Sequence, residues 1–382
     1  MYEIILYDTS NYEDFPIGGQ LTSVRNFLRY MGEKHKADCS KILLIGVTNK
    51  EIEVGRIKKI YTEDVSFDFL PVLWRDNNLN NVKQSLRIQF LRALFEQRKK
   101  IPSGKKIVHY FHTPEAFIFI KTIHPLAKTA VFSHGSFFNM VAGFRFFKNN
   151  KIVGICFNIF IKLLLKSATI VFALDDDSRI AYEACGARVK MVENSIILPD
   201  GSQERKKTHV PLRLLFVGRL SKVKRIDLII RAIKNCDINC VLTIVGDGEE
   251  NNELHKLVTD LKIQDRVKFI GKVRPETVKK YMMDNDILIM NSSLEGKPMT
   301  IIEALSYGMP IVTTPVGGIP SLVQNNKNAV FTNGTEKEIV NAIKKIMENY
   351  YLFSCNAVIS SKKYDYRTVN KAIYETLKKI IC

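Results

Sequence analysis

The stretch ILIMNSSLEGKPMTIIEALSYGMPIVTT, Ile287–Thr314, reads as one structural unit. Its first six residues are an apolar, strand-like run, Gly296 and Pro298 break the chain, an apolar-periodic helix starts near Met299, and PIVTT at 310–314 is a second apolar run. Two buried strands joined through a helix lie parallel, because antiparallel neighbours can be joined by a tight turn and parallel ones need a crossover. The loop and helix hold two acids eight residues apart, Glu295 and Glu303. Backbone N–H groups at a helix start are unpaired and favour an anion, so carboxylates beside them are expected to face ligand hydroxyls rather than phosphate. Vicinal diols of a sugar or ribose are good bidentate partners for an ionised carboxylate.

The same alternation extends in both directions. Strand-like runs occur at 3–8, 41–47, 106–111, 129–134 and 168–174, and again at 213–218, 241–246 and 267–271, with amphipathic segments such as QLTSVRNFLRYM and RIDLIIRAIKNC among them. This predicts an α/β protein with parallel sheets covered on both faces. A chain of 382 residues exceeds what one core usually supports. The proline-bounded polar stretch PDGSQERKKTHVP, 199–211, is the expected linker between a domain over 1–198 and a second over 212–360, with 361–382 as a C-terminal helix returning to the first domain. Each half reads as doubly wound. Ligands of such sheets bind beyond the carboxyl ends of the strands, so a cleft between facing domains is expected.

The chain is 46% hydrophobic and 25% charged, with a net charge of +18, and reads as soluble and globular. Sixteen Lys or Arg face three acids between Arg75 and Lys166, a footprint for phosphate-bearing partners or an anionic membrane, or else a solvated basic face. The segment at 152–165 is too short and too interrupted to span a bilayer; an interfacial helix and a core helix both fit it. Seven cysteines without tight repeats argue against a disulfide framework or zinc knuckle and fit a reducing cytoplasm. MYEIILYD, without a basic leader, is read as a first strand and not a signal peptide.

Glycine-rich turns recur where strands end. Gly18 and Gly19 follow the first strand, a common turn that also allows close approach of a ligand. In FVGRLSKVKRID, Arg219 and Lys224 project from a strand-to-helix turn and suit a diphosphate, with Lys222 and Arg225 adding charge. VGDGEE at 245–250 and PVGGIP at 315–320 repeat the pattern. The Asp-x-Asp within Asp175–Asp177 is read as a helix cap rather than a metal motif. His109 and His112 fall on opposite strand faces and are assigned structural or acceptor-side roles.

The ordered series GRLSKVK, LTIVGDG, VKFIGKV, LIMNSSLEGKPMTIIEALSYGMPIV and TPVGGIP resembles the retaining glycosyltransferases of family 4. The likeness is thinner before residue 200, resting on IGG, SHG and VENSI. The resemblance implies the GT-B fold of two Rossmann-like domains, and transfer of a sugar from a UDP- or GDP-sugar to a hydroxyl of a glycan or lipid-linked acceptor. It implies no cofactor and no metal, with retention by front-face attack. By the same resemblance Arg219 and Lys224 would bind the donor diphosphate and Glu295 the transferred sugar. Glu303 would hold the ribose, and Val273 would lie near the base. The stretch Gly296, Lys297, Pro298, Met299, Thr300 would cradle phosphate and sugar, Gly18 and Gly19 would approach the phosphate, and His134 would contact the sugar. Two departures stand out: Arg225 where the family commonly has Gly, and Lys297 where it has an aromatic or Leu. Lys297 sets a cation beside the sugar pocket and makes an acidic sugar a candidate. A bacterial surface-polysaccharide enzyme, peripheral on the inner face of the plasma membrane, is the expectation. A nucleotide-sugar epimerase of the same fold, and a basic membrane or nucleic-acid binding protein with a degenerate site, are the alternatives, though no nucleic acid is the expected partner.

Overall fold

The computed structural model describes residues 1–12, 19–62, 65–75, 85–134, 151–201 and 203–382. The chain divides into two units, one of Met1–Ser195 with Tyr366–Cys382 and one of Ile196–Asp365.

The first unit holds strands β1 (Ile4–Asn11), β2 (Ile42–Thr48), β3 (Lys58–Thr62), β4 (Val65–Trp74), β5 (Val108–Phe111), β6 (Lys128–Ser133), β7 (Ile170–Ala173) and β8 (Val189–Met191). They form one sheet in the order β3-β4-β2-β1-β5-β6-β7-β8. All neighbours are parallel except β3, which runs antiparallel to β4 at the edge. Sequence periodicity indicates neither β3 nor β4. Pro71 inside β4 discourages a strand assignment, since it offers no N–H to a ladder. The register between β2 and β4 shifts immediately after the Gly46–Pro71 pair, an irregularity of the kind that accommodates a strand proline. Fully buried Ile4, Leu6, Leu44 and Tyr110 point to one side of the sheet and Ile5, Tyr7, Leu43 and Phe111 to the other, so both faces carry cores. The helix Tyr366–Ile381 completes one of them with Val369, Ile373 and Leu377, and Tyr374 Oη donates to Asp38 at 2.6 Å.

Helix Lys151–Lys166 lies in this unit and presents both a core-packed and an exposed apolar side. Ile161 and Leu165 are buried in the core, while Ile155, Ile159, Phe160 and Leu163 are exposed on the remaining surface. Among the described residues no helix is long and apolar enough to cross a membrane.

The second unit holds β9 (Leu212–Val217), β10 (Cys240–Val245), β11 (Val267–Gly271), β12 (Ile287–Met290), β13 (Ile311–Thr313) and β14 (Ala329–Phe331). Their order is β11-β10-β9-β12-β13-β14, all parallel, the doubly wound arrangement with its reversal between β9 and β12. Helix Ile226–Asn235 buries Ile226, Ile229, Ile230 and Ile233 against one face, and Met299–Ser306 buries Ile301, Ile302 and Leu305 against the other.

The polar stretch 199–211 is not a free linker. Arg205 Nε donates to Tyr307 O at 2.8 Å, and its guanidinium also reaches the carbonyls of Met282 and Asn285. The His209 ring and the backbone N–H of Arg213 both bond the buried Asp286. Polarity suggested solvent, but these groups are consumed by carbonyls and a carboxylate of the second unit. The chain therefore changes units at 195–196 and again at 365–366, not at 199–211 and 361.

Candidate active site

The reversal point of the second sheet is where the loops after β9 and β12 part, and the motif residues sit on those loops. The turn after β9 stays paired with that after β10: Gly218 N donates to Val245 O and Leu220 N to Asp247 O, both at 3.0 Å. A Cβ on Gly246 would stand 1.8 Å from the Gly218 carbonyl, so only glycine permits this approach. The result is a depression of about 550 Å³ lined by Gly218, Arg219, Gly246, Asp247, Gly248 and Lys272. Arg219, 74% exposed, is held by Glu249 at 3.0 Å, an exposed pair of small worth that a phosphate can replace. Lys272, the residue directly after the end of β11, joins this lining; its signal in the sequence is a cation at a strand end.

Lys224 closes a short 3-10 turn and donates to Glu295 Oε1 at 2.5 Å. The same oxygen accepts from Ser292 Oγ at 2.6 Å, and Thr314 Oγ1 donates to Ser292 O at 2.5 Å. Ser293 N bonds Val223 O at 2.7 Å, so backbone and side chains together join the β9 and β12 loops. An ammonium has three donors, and Glu295 accounts for one. Sequence alone does not mark Ser292 or Thr314 as site residues, because nothing local signals a hydroxyl that braces a carboxylate, or one that braces the backbone carrying it.

Arg225 corrects the expectation that it adds charge for a phosphate. It occupies the left-handed region at φ 46°, which explains a glycine preference there. Its Nε donates to Asn291 O at 2.8 Å and Nη2 to Ser292 O at 3.3 Å, fastening the end of β12. Gly334 makes room for this guanidinium, since a Cβ there would lie 2.5 Å from Nη2.

Helix Met299–Ser306 begins after Pro298 with no side-chain cap, leaving the N–H groups of Met299 and Thr300 for a ligand. The preceding Glu295–Gly296 backbone packs on the Gly317–Gly318 turn, with Gly318 N donating to Gly296 O at 2.9 Å. Lys297 is half-buried beside that turn. Glu303 is half-buried, and among the described residues no donor bonds its carboxylate. Burial raises its pKa, against a smaller lowering by Lys279. Val273 is half-buried after β11 and packs on the core.

In the first unit the reversal lies between β1 and β5. Gly19 opens helix Gly19–Lys34, and Gly18 lies outside the described residues. His134 follows β6, and its Nε2 is 2.9 Å from Nδ1 of His112. Burial lowers the pKa of His134 to about 4 and that of His112 well below its ordinary value. His109 instead stacks on Tyr7 and Phe111, with Tyr7 Oη 2.8 Å from its Nδ1. The two histidines of HYFH thus serve opposite faces. Asp175 caps helix Asp176–Glu183, accepting from Ser178 N at 2.7 Å. Among the described residues no group of three His, Cys, Asp or Glu is arranged to hold a metal.

Residues 201–364 match the family described as glycosyl transferases group 1. Over 130 residues the chain is 33% identical to the amylovoran biosynthesis glycosyltransferase AmsK of Erwinia amylovora, covering 31% of each chain. It is 32% identical over 114 residues to the N-acetyl-alpha-D-glucosaminyl L-malate synthase of Bacillus anthracis, covering 29% of each. The match thus spans about three tenths of the length of these relatives. Among solved structures, Anabaena HepE in complex with UDP superposes with a TM-score of 0.69 at 21% identity, over 99% of this chain and 100% of that one. Sucrose-phosphate synthase from Thermosynechococcus elongatus gives 0.73 at 13% identity, over 100% and 99%. The chain shares the GT-B fold of these proteins.

Proposed function

We propose that this chain, whose residues 201–364 are a glycosyl transferases group 1 domain, transfers a sugar from a nucleoside-diphosphate donor to a hydroxyl of a glycan or lipid-linked acceptor with retention of configuration. The observation that carries the reading is the Lys224–Glu295 contact at the sheet reversal. It places a cation with spare donors against a carboxylate already oriented by Ser292. Arg219, Lys224 and the open helix start at Met299 stabilise charge developing on the leaving diphosphate, so leaving-group assistance runs through fixed protein donors rather than a metal. Glu295 orients hydroxyls of the transferred sugar, and the Glu303 carboxylate, which no donor among the described residues occupies, accepts from the ribose diol. Gly296 to Thr300 cradle the phosphates and sugar and Val273 flanks the base, while the family likeness assigns His134 and Gly19 a substrate-contacting role of their own. The UDP bound by HepE makes uridine diphosphate sugars the first to test, and Lys297 favours including an acidic one.

The test is a panel of UDP- and GDP-sugars scored for slow release of nucleoside diphosphate without acceptor. One sugar is expected to be hydrolysed, with Glu303→Gln at least about tenfold slower because charge-assisted hydrogen bonds to the ribose diol are lost. Protonation removes an acceptor, so donor binding by the wild type should weaken as pH falls through the raised pKa of Glu303, and Glu303→Gln should lack that limb. No release from any member would overturn the proposal.

A role in bacterial surface polysaccharide synthesis, at the cytoplasmic face of an anionic membrane, is proposed with it. The exposed Ile155, Ile159, Phe160 and Leu163 alongside Lys162 and Lys166 support this. Cosedimentation with phosphatidylglycerol vesicles should occur and should fall at least about fivefold in Ile159→Asp/Leu163→Asp, since two buried apolar contacts are lost. Equal binding by both proteins would remove the membrane from the proposal.

A further inference from the structure

The contact between His112 and His134 has only two neutral arrangements. Either His112 Nδ1–H donates to His134 Nε2, or His134 Nε2–H donates to His112 Nδ1. The rest of the His112 environment separates them. Its ring is 3% exposed, lies flat on Phe132 at a centroid distance of 5.0 Å and meets the edge of Tyr110 at 4.7 Å, so it has no room to turn. Its backbone is anchored as well, with the His112 N–H donating to Tyr7 O at 2.9 Å. The outward nitrogen, Nε2, is buried and has no hydrogen-bond partner among the described residues.

In the second arrangement the proton of His112 sits on that nitrogen, as a buried N–H with no acceptor. Orphaned buried N–H groups are rarer in proteins than under-used acceptors. In the first arrangement the same nitrogen is a bare lone pair, and the proton does its work between the rings. We infer that His112 is a positioning residue that donates through Nδ1 to His134 Nε2 and thereby fixes His134 as its Nδ1–H tautomer.

The consequence concerns chemistry at His134. Its Nε2 lone pair is consumed by His112, and its Nδ1 carries a hydrogen, so toward a ligand the ring is a hydrogen-bond donor and not a general base. Both rings are kept neutral by burial, consistent with a single proton between them. The role at a sugar oxygen rests on the glycosyltransferase reading; the tautomer does not, because it follows from the protein groups alone.

The experiment is long-range proton–nitrogen correlation NMR on the full chain labelled with ¹⁵N-histidine, with the His134 signals assigned through His134→Gln. The expected pattern is a protonated Nδ1 and an unprotonated Nε2 on His134. A protonated Nε2 on His134 overturns the inference whether or not the chain transfers sugar. His112→Asn keeps an amide N–H near the Nδ1 position and should retain the tautomer, whereas His112→Phe removes the donor and should shift His134 toward the Nε2–H form. With a donor found by the panel above, His112→Phe should lower turnover about tenfold and His112→Asn should recover most of it, the size typical of losing a group that orients a site ligand. Retention of the Nδ1–H form in His112→Phe would equally defeat the assignment. Should His112→Phe fail to fold, the wild-type spectrum still decides it.

Discussion

Lys224→Met is expected to lower sugar transfer about 100-fold, the loss seen when one preorganised donor to a developing anion is removed. The same change leaves the carboxylate of Glu295, 9% exposed, without its cation. Breaking a buried pair from one side costs several kcal/mol, and the 18% exposure of Lys224 discounts this to roughly 2 kcal/mol. Two effects are therefore mixed in one variant, and the double variant Lys224→Met/Glu295→Gln separates them. It should regain most of the stability in urea unfolding while transfer stays low. Ser292 would still donate to the carbonyl oxygen of the substituted amide and keep its place. Wild-type turnover in Lys224→Met would sink the role of Lys224 in leaving-group stabilisation. Stability unchanged in the single variant would mean that the pair carries no structural weight.

Gly317→Ala, like Gly246→Ala, should be among the most damaging single-methyl changes in the second unit. Gly317 lies at φ 55°, and a Cβ there would stand 1.8 Å from the Glu295 carbonyl oxygen and 2.8 Å from its carbon. Backbone cannot yield as a side-chain tip does, so the Glu295–Gly296 segment must move, at a cost of roughly 3 kcal/mol or more. Transfer should fall with it, because the displaced segment includes Glu295 itself. Gly296→Ala is the counterpart: its added Cβ would meet nothing within 4 Å, so stability should stay within about 0.5 kcal/mol. A loss of turnover in Gly296→Ala at unchanged stability would then report close approach of a ligand to that open space. Differential scanning calorimetry of the two variants checks the contrast, and equal thermal shifts would refute it.

Local patterning carried much of the fold. Apolar runs at a strand period, alternating with helical periodicity, predicted the ten strands on which most of the two sheets are built, and their parallel sense followed from the crossovers. The turns that bear the candidate residues were legible for the same reason: strand ends are marked by Gly, and cations or acids placed there have few other uses. Arg219, Lys224, Glu295 and Glu303 could be singled out in this way, and the family likeness supplied roles for them. What periodicity missed were β4, where Pro71 interrupts the signal, its edge partner β3, and the short β8 and β14.

Tertiary structure alone decided which polar groups answer one another. Lys224 and Glu295 are 71 residues apart, and only the reversal of strand order between β9 and β12 makes them neighbours. Arg225 looked like one more cation in a basic turn until its left-handed backbone turned its guanidinium onto the carbonyls of Asn291 and Ser292. Arg205, in a stretch as polar as any linker, is spent on carbonyls 77 to 102 residues away. Local sequence encodes which face of an element avoids water, because that preference repeats along the chain with the backbone period. It does not encode which buried donor meets which acceptor, since hydrogen bonding is directional and short-ranged and its partners are chosen by the packing of distant elements.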